Sequence, residues 1–230
     1  MDEVNGGDAA SDIEKVGANF SIAGMLEVRK RTRCAIDSIA QRLHPGMAEE
    51  RGVEVAKQTL MEQGLVRGWH QVVVRFGANT TREYANPSVP GVVLGEVDIF
   101  FIDIGPVWGN CEGDGGATFV VGSDPEMQRA ARDVVTLWHR VHEKWRDEAA
   151  TGRRLYEFAT AEASVMGWEL NLKRMSGHRI GDFPHKHRFA GLLSGVDVIP
   201  SPYLWILEIH IRHKTRQFGA FYEDLMLPRE

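Results

Sequence analysis

Cysteine is almost missing from this chain of 230 residues: Cys34 and Cys111 are the only two. Two distant thiols cannot build a disulfide framework, and they lack the paired spacing of a zinc site. Long apolar runs are missing as well. No stretch approaches the roughly 18 apolar residues that a membrane-spanning helix needs, and no basic start leads into an apolar core as in a secretory signal. Nor is there an excess of positive charge: 27 Lys and Arg stand against 32 Asp and Glu, a formal net charge of -5. A chain of that sign offers no electrostatic footprint for nucleic acid or an anionic membrane surface. The expectation is a cytoplasmic protein without nucleic-acid or membrane partners. Short-period repeats and low-complexity segments are also lacking.

What is present is a hydrophobic fraction of 43%, enough for a sizeable core. Residues 1–19, "MDEVNGGDAASDIEKVGAN", are acidic, small and free of aromatics, and read as a mobile arm ahead of one domain over 20–230. From Met25 to Leu43 apolar and small residues recur at helical spacing. The turn "HPGM" then leads into a second helix over about 48–63. The stretch "WHQVVVRFGANT" reads as a strand running into a turn at Gly77–Asn79, and the loop "TREYANPSVPG" follows. Later come a helix capped by Ser123 or Asp124 and running to about Ala149, and a shorter one over about 154–166 after a break at Gly152. The last third alternates turns with strands, notably "YLWILEIHIR" and "FGAFYEDLML".

The chain is organised around residues 97–122. Val97, Ile99, Phe100, Phe101, Ile102 and Ile104 read as a mostly buried strand that Asp103 interrupts. A carboxylate there costs several kcal/mol unless it is paired, hydrogen-bonded or bound to a metal. Asp114 follows after a Gly-rich turn, and a hairpin would bring the two acids together, where they repel unless a proton or cation lies between them. Backbone donors for Asp103 and a turn role for Asp114 are the alternative at this point. Further along, Glu208 and Glu223 are embedded in apolar strands, and His178 sits in the Gly-flanked "SGHRIGD". Each alone reads as a surface or turn residue. Four carboxylates and one imidazole together call for positive charge, and divalent cations would supply it.

The order and surroundings of these residues resemble the pita-bread metallopeptidases, the family of methionine aminopeptidase, Xaa-Pro aminopeptidase, prolidase and creatinase. "DIGP", "DGGATF", "GHRIG", "LEIH" and "YEDLML" stand where that family carries D-x-G, D-x-x-R-T-F, G-H-G-I-G, E-P-G and an E-D pair. The likeness extends upstream to "HPGM" and "FGANT", over roughly 25–227. It implies a single-domain α+β pita-bread fold, an antiparallel curved sheet covered by helices. It implies two divalent metal ions, Mn, Fe or Co with Zn possible, on Asp103, Asp114, His178, Glu208 and Glu223. It also implies His185 as a substrate contact, with Glu208 counted among the catalytic residues. The activity implied is hydrolysis of small amide or short-peptide substrates by a bridging water, and a homodimer is compatible with it.

Departures from the pattern surround the ligand positions without touching them. Tyr84 stands where the Xaa-Pro branch has a histidine, and no histidine occurs between His70 and His139. Its hydroxyl is expected to take part in catalysis. Ala117, Arg179, Lys186 and the pair Ile209–His210 replace the family's Arg, Gly, Glu and Pro-Gly. Such changes motivate a second reading, creatinase-like C–N cleavage or iron-dependent oxidation of a small metabolite, and a third, a non-catalytic binding module. Strand alternation puts His210 on the face of Glu208, pointing at the metal centre or at a sheet edge. His139 and His142 read as part of a solvated helix face, and Trp108 and Cys111 as pocket lining or packing.

Overall fold

The computed structural model describes residues 12–65, 68, 70–184 and 189–229. Its frame is a seven-stranded antiparallel sheet in the order β1-β2-β5-β9-β8-β6, with β7 beside β8. The strands are β1 (Val73–Phe76), β2 (Asp98–Ile104), β5 (Gly115–Val121), β6 (Glu169–Leu170), β7 (His178–Arg179), β8 (Trp205–Arg212) and β9 (Gly219–Leu225). The turn between β2 and β5 carries its own small ribbon, β3 (Val107–Trp108) with β4 (Cys111–Glu112). The expected simple hairpin is thus longer and folded on itself.

Among the described residues four long helices pack on this frame: α1 (Ile22–Ala40), α2 (Glu49–Glu62), α3 (Pro125–Glu148) and α4 (Gly152–Val165). Period-2 alternation in the central strands decides where they dock. Phe100, Ile102 and Ile104 of β2 join Ile36 and Ile39 of α1 and Leu60 of α2 in one buried cluster. Leu207, Ile209 and Ile211 of β8 join Val134 and Leu137 of α3 and Leu155 of α4 in another. The other residues of the same strands, Asp103, Glu208 and Glu223 among them, are left to the opposite face.

The cap of α3 is Asp124, whose Oδ1 accepts from the Glu126 and Met127 amides at 3.0 and 2.9 Å, with Pro125 in the first turn. Its buried tryptophans also find polar partners: Trp138 Nε1 donates to Leu207 O and Trp145 Nε1 to Pro200 O, both at 2.8 Å. His142 is not on a solvated face. It is buried between Trp138 and Trp145 and its Nε2 accepts from the Leu227 amide at 3.1 Å, while His139 is exposed. The helical register turns position 142, four residues after Trp138, into the apolar stripe.

Residues 12–19, within the stretch read as a mobile arm, make specific contacts. Glu14 accepts from the Ser201 amide at 2.8 Å and from Trp205 Nε1 at 2.6 Å, and Asp182 accepts from the Gly17 amide at 2.7 Å. Nor does Gly152 break a helix. The break lies at Ala149, whose φ is 49°, and Gly152 opens α4 where the chain passes the Leu193 backbone.

A methyl group at position 152 would collide with the Leu193 carbonyl oxygen. Gly152→Ala is therefore expected to lower stability by about 1–3 kcal/mol in denaturant unfolding. An unchanged midpoint would show that the two backbones separate freely.

Candidate metal centre

Sheet register carries the site. Val73 pairs with Asp103, Asp103 with Gly116, Gly116 with Glu223, and Glu223 with Glu208, so one line across the sheet holds three carboxyl side chains. Directly paired residues project from the same face, which turns Asp103, Glu223 and Glu208 together into the cleft. Gly116, in the middle of the line, makes room for the Phe221 ring, which a Cβ there would strike. Asp114 enters just before β5, its loop held by the Gly113 amide on Pro106 O at 2.7 Å. His178 is brought in by β7, which pairs with β8 at Ile206. Gly177, at φ 71°, lets the chain turn against β8 and donates its amide to Glu208 Oε2 at 3.0 Å.

These side chains meet at the floor of a cleft of about 910 Å³. His178 Nε2 lies 2.8 Å from Asp114 Oδ2. On the other side His70 Nε2 lies 3.0 Å from Asp114 Oδ1 and 3.5 Å from Asp103 Oδ1. Ligand atoms of His70, Asp103 and Asp114 fall within 4.8 Å of one another, and so do those of Asp114, His178 and Glu223. Glu208 lines the same cleft beside Glu223.

Sequence reasoning missed His70. It precedes β1, the edge strand that pairs with β2, and only the path of the loop ahead of β1 turns it back over Asp103. Its presence in "WHQVVV" was visible, but nothing in its spacing tied it to either aspartate.

Burial and mutual repulsion set the protonation of this cluster. Burial pushes Asp103 up to about 6, although His70 opposes the rise, and pushes Glu208 up to about 8 against the pull of His178. Burial raises Glu223 well above the ordinary range, and Asp114, Asp103 and Glu208 add to the effect. Asp114 goes the other way: burial opposes its charge, but the His70 and His178 imidazoles outweigh it and hold the carboxyl low. The aspartates reciprocate by raising His70 to about 9 despite its burial.

A divalent cation fits this set. Glu223 Oε1 is buried and has no hydrogen-bond partner among the described residues. The donors around it are carboxylate oxygens with imidazole nitrogen, a mixture suited to Mn, Fe, Co or Zn.

The surroundings are braced from several elements. Asn79 Nδ2 donates to both carboxylate oxygens of Glu49 at 3.0 Å and to Val89 O at 3.0 Å, and its Oδ1 accepts from the Val89 amide at 2.9 Å. That clamp fixes the loop carrying Tyr84, which lines the cleft and is 37% exposed. Its hydroxyl accepts weakly from the Gln71 amide at 3.4 Å, and burial, with the cleft carboxylates adding, pushes it above its ordinary value. His210 does not reach the metal centre. It is fully buried beside Phe101, with Nε2 donating to Thr80 O at 2.7 Å and Nδ1 accepting from Asn171 at 2.9 Å. Burial holds the ring neutral, lowering it to about 3 against the pull of Thr80 O, and the two bonds make it a strut between β8 and the turn after β1. Trp108 and Cys111 pack: the indole lies under Arg31, 3.7 Å from its guanidinium carbon, and the thiol joins Met25, Val28 and Ile180. His185 lies outside the described residues.

The raised acids give a pH test. Glu208 in the folded protein holds its proton above the value of 4.5 expected in the unfolded chain. The stability this contributes is full below about pH 4.5 and is lost as pH rises through about 8. A cation replaces the proton, so saturating Mn(II) or Co(II) is expected to raise Tm more at pH 8 than at pH 6 in scanning calorimetry. Equal gains at both values would mean that the buried acids do not receive the metal.

Residues 23–230 match the family model Peptidase_M24, metallopeptidase family M24. Among solved structures the chain is similar to the X-Pro aminopeptidase from Thermotoga maritima, with a TM-score of 0.76 at 19% identity, covering 95% of this chain and 60% of that one. It is similar to the Xaa-Pro dipeptidase from Bacillus anthracis, with a TM-score of 0.75 at 18% identity over 95% of this chain and 60% of the other. It is also similar to the prolidase from Pyrococcus furiosus, with a TM-score of 0.74 at 16% identity over 95% and 63%. The chain thus spans about 60% of the length of these structures. A comparison with curated proteins gave no match. At such identities the structural likeness establishes the pita-bread fold. The family match is independent of it and covers nearly all of the sequence, and so this chain belongs to metallopeptidase family M24.

Proposed function

We propose that the chain is a metal-dependent hydrolase of short peptides or small amides, using a dinuclear centre on Asp103, Asp114, His178, Glu208 and Glu223. The observation that carries this reading is the convergence of four buried carboxyl groups and His178 on one open cleft, with Glu223 Oε1 unpaired. Divalent ions held there would lower the pKa of a bridging water and polarise a substrate carbonyl, which makes hydrolysis feasible near neutral pH. Asp103, Asp114 and Glu223 would share the ions, and His178 and Glu208 would complete the second position.

The chain's own groups divide the remaining work. Tyr84, kept protonated by burial and the carboxylates behind it, can donate a hydrogen bond to a substrate oxygen or nitrogen at the cleft wall. His185 belongs to the proposal as a second substrate contact. A substrate of a few residues suits a cleft of about 910 Å³.

Tyr84 favours a second reading, altered chemistry on the same centre, because it lines the cleft where the family's Xaa-Pro branch has a histidine. Arg179, in place of the motif's glycine, is buried with its guanidinium donating to Lys15 O beside Glu112 and Asp182, so it braces the turn behind His178.

Metal analysis with a short-peptide screen after anaerobic reconstitution with Mn, Fe, Co and Zn separates these readings. Two metals per chain with peptide cleavage is the expected result; metal with oxygen consumption, or with no peptide cleavage, would point to the second reading. Asp114→Ala should abolish metal binding, and unchanged stoichiometry would sink the proposed centre. Tyr84→Phe should lower kcat by about 100-fold if the hydroxyl acts in proton transfer. An unaltered rate would return Tyr84 to packing.

A further inference from the structure

We infer that His70 is an additional metal ligand of this centre, serving the position at Asp103 as His178 serves the position at Glu223. The inference rests on the dinuclear reading of the cleft and adds a sixth residue to it.

Two imidazoles approach Asp114 from opposite ends. His178 Nε2 is 2.8 Å from Oδ2 and His70 Nε2 is 3.0 Å from Oδ1. Each ring is held from behind in the same manner. His178 Nδ1 contacts the carbonyl of the next residue, Arg179, at 3.1 Å, and His70 Nδ1 contacts the carbonyl of its own next residue, Gln71, at 2.6 Å. A ring that donates Nδ1–H to a backbone carbonyl presents Nε2 forward, the way ligating histidines are oriented. The Tyr84 ring meets His70 edge-on at 5.9 Å and 83°, which restrains its rotation.

The spacings suit one shared ion. Two donors each about 2.1 Å from a metal stand about 3.0 Å apart at right angles and about 3.4 Å apart in a tetrahedron. His70 Nε2 is 3.0 Å from the Asp114 oxygen and 3.5 Å from the Asp103 oxygen. The two triads, His70–Asp103–Asp114 and Asp114–His178–Glu223, then share Asp114 and carry one imidazole each. Nitrogen at both positions shifts preference toward Zn, Co and Fe relative to Mg, Ca and Mn.

Cobalt reconstitution tests this without reference to turnover. Proton NMR of the Co(II) protein is expected to show two exchangeable, hyperfine-shifted imidazole N–H resonances. His70→Ala should remove one and weaken one of two Co(II) binding steps about tenfold or more in calorimetry, and His178→Ala should remove the other. His70→Gln serves as a second variant should alanine disturb the loop, with circular dichroism checking the fold of each. Two Co(II) bound with one resonance, lost in His178→Ala and kept in both His70 variants, would overturn the role of His70 and leave the dinuclear reading standing. Wild-type protein that binds no Co(II) would overturn both.

Discussion

Repulsion among buried carboxylates is the constraint on which the rest of this structure depends. Two unit charges about 4 Å apart repel by about 4 kcal/mol at an effective dielectric near 20, and burial adds a desolvation cost to each. Asp103, Asp114, Glu208 and Glu223 are all nearly inaccessible and share one cleft. The molecule relieves the strain in two ways. Burial favours the protonated forms of Glu208 and Glu223, His70 is raised to about 9 beside Asp114, and Asp114 raises His178 as well. Both devices are exchangeable for a divalent cation, which is why the same arrangement that would destabilise an ordinary core suits a metal centre.

Everything around the cleft serves to keep that arrangement fixed. The sheet's apolar alternate residues hold α1 to α4 on one side, and the carboxylates keep the other. Glu49 and Asn79 brace the loop that carries Tyr84, while His210 ties β8 to the turn after β1. On the helix side Arg29 grips Asp224 through two bonds of 2.7 Å, which fixes the residue next to Glu223 from behind. A carboxylate is only as well placed as the strand beneath it; His210 lies in the strand of Glu208, and Asp224 is next to Glu223.

The altered residues sit where chemistry would be tuned while the charged set is left alone. Tyr84 lines the cleft, Arg179 braces the turn behind His178, and His70 adds an imidazole from a loop outside the motif strings. Substitution there changes the lining of the cleft and the number of imidazoles beside Asp114, with no change to the carboxylates. Membership of the family therefore leaves reaction and substrate open in a way that the cleft lining makes concrete.

Much of this was legible in the residues themselves. Asp103, Glu208 and Glu223 each broke an apolar strand pattern, and an unexplained charge in such a pattern is informative because its burial is costly. Periodicity predicts helices over 25–43 and 48–63, which form over 22–40 and 49–62, and the cap at Asp124 predicts the third, over 125–148; these are local properties that a sequence states directly. An imidazole in a charged helix has no intrinsic side, and only packing against Trp138 and Trp145 turns His142 inward. Gly152 opened a helix where it had seemed to end one, because its reason is the distant Leu193 backbone. The same holds for His70. Its partners Asp103 and Asp114 are 33 and 44 positions away, and no local pattern encodes the path of a loop. The sequence by itself determined which residues could not be buried without compensation; the register of β2, β5, β8 and β9 decided that they would be compensated together, because pairing places them on one line and one face.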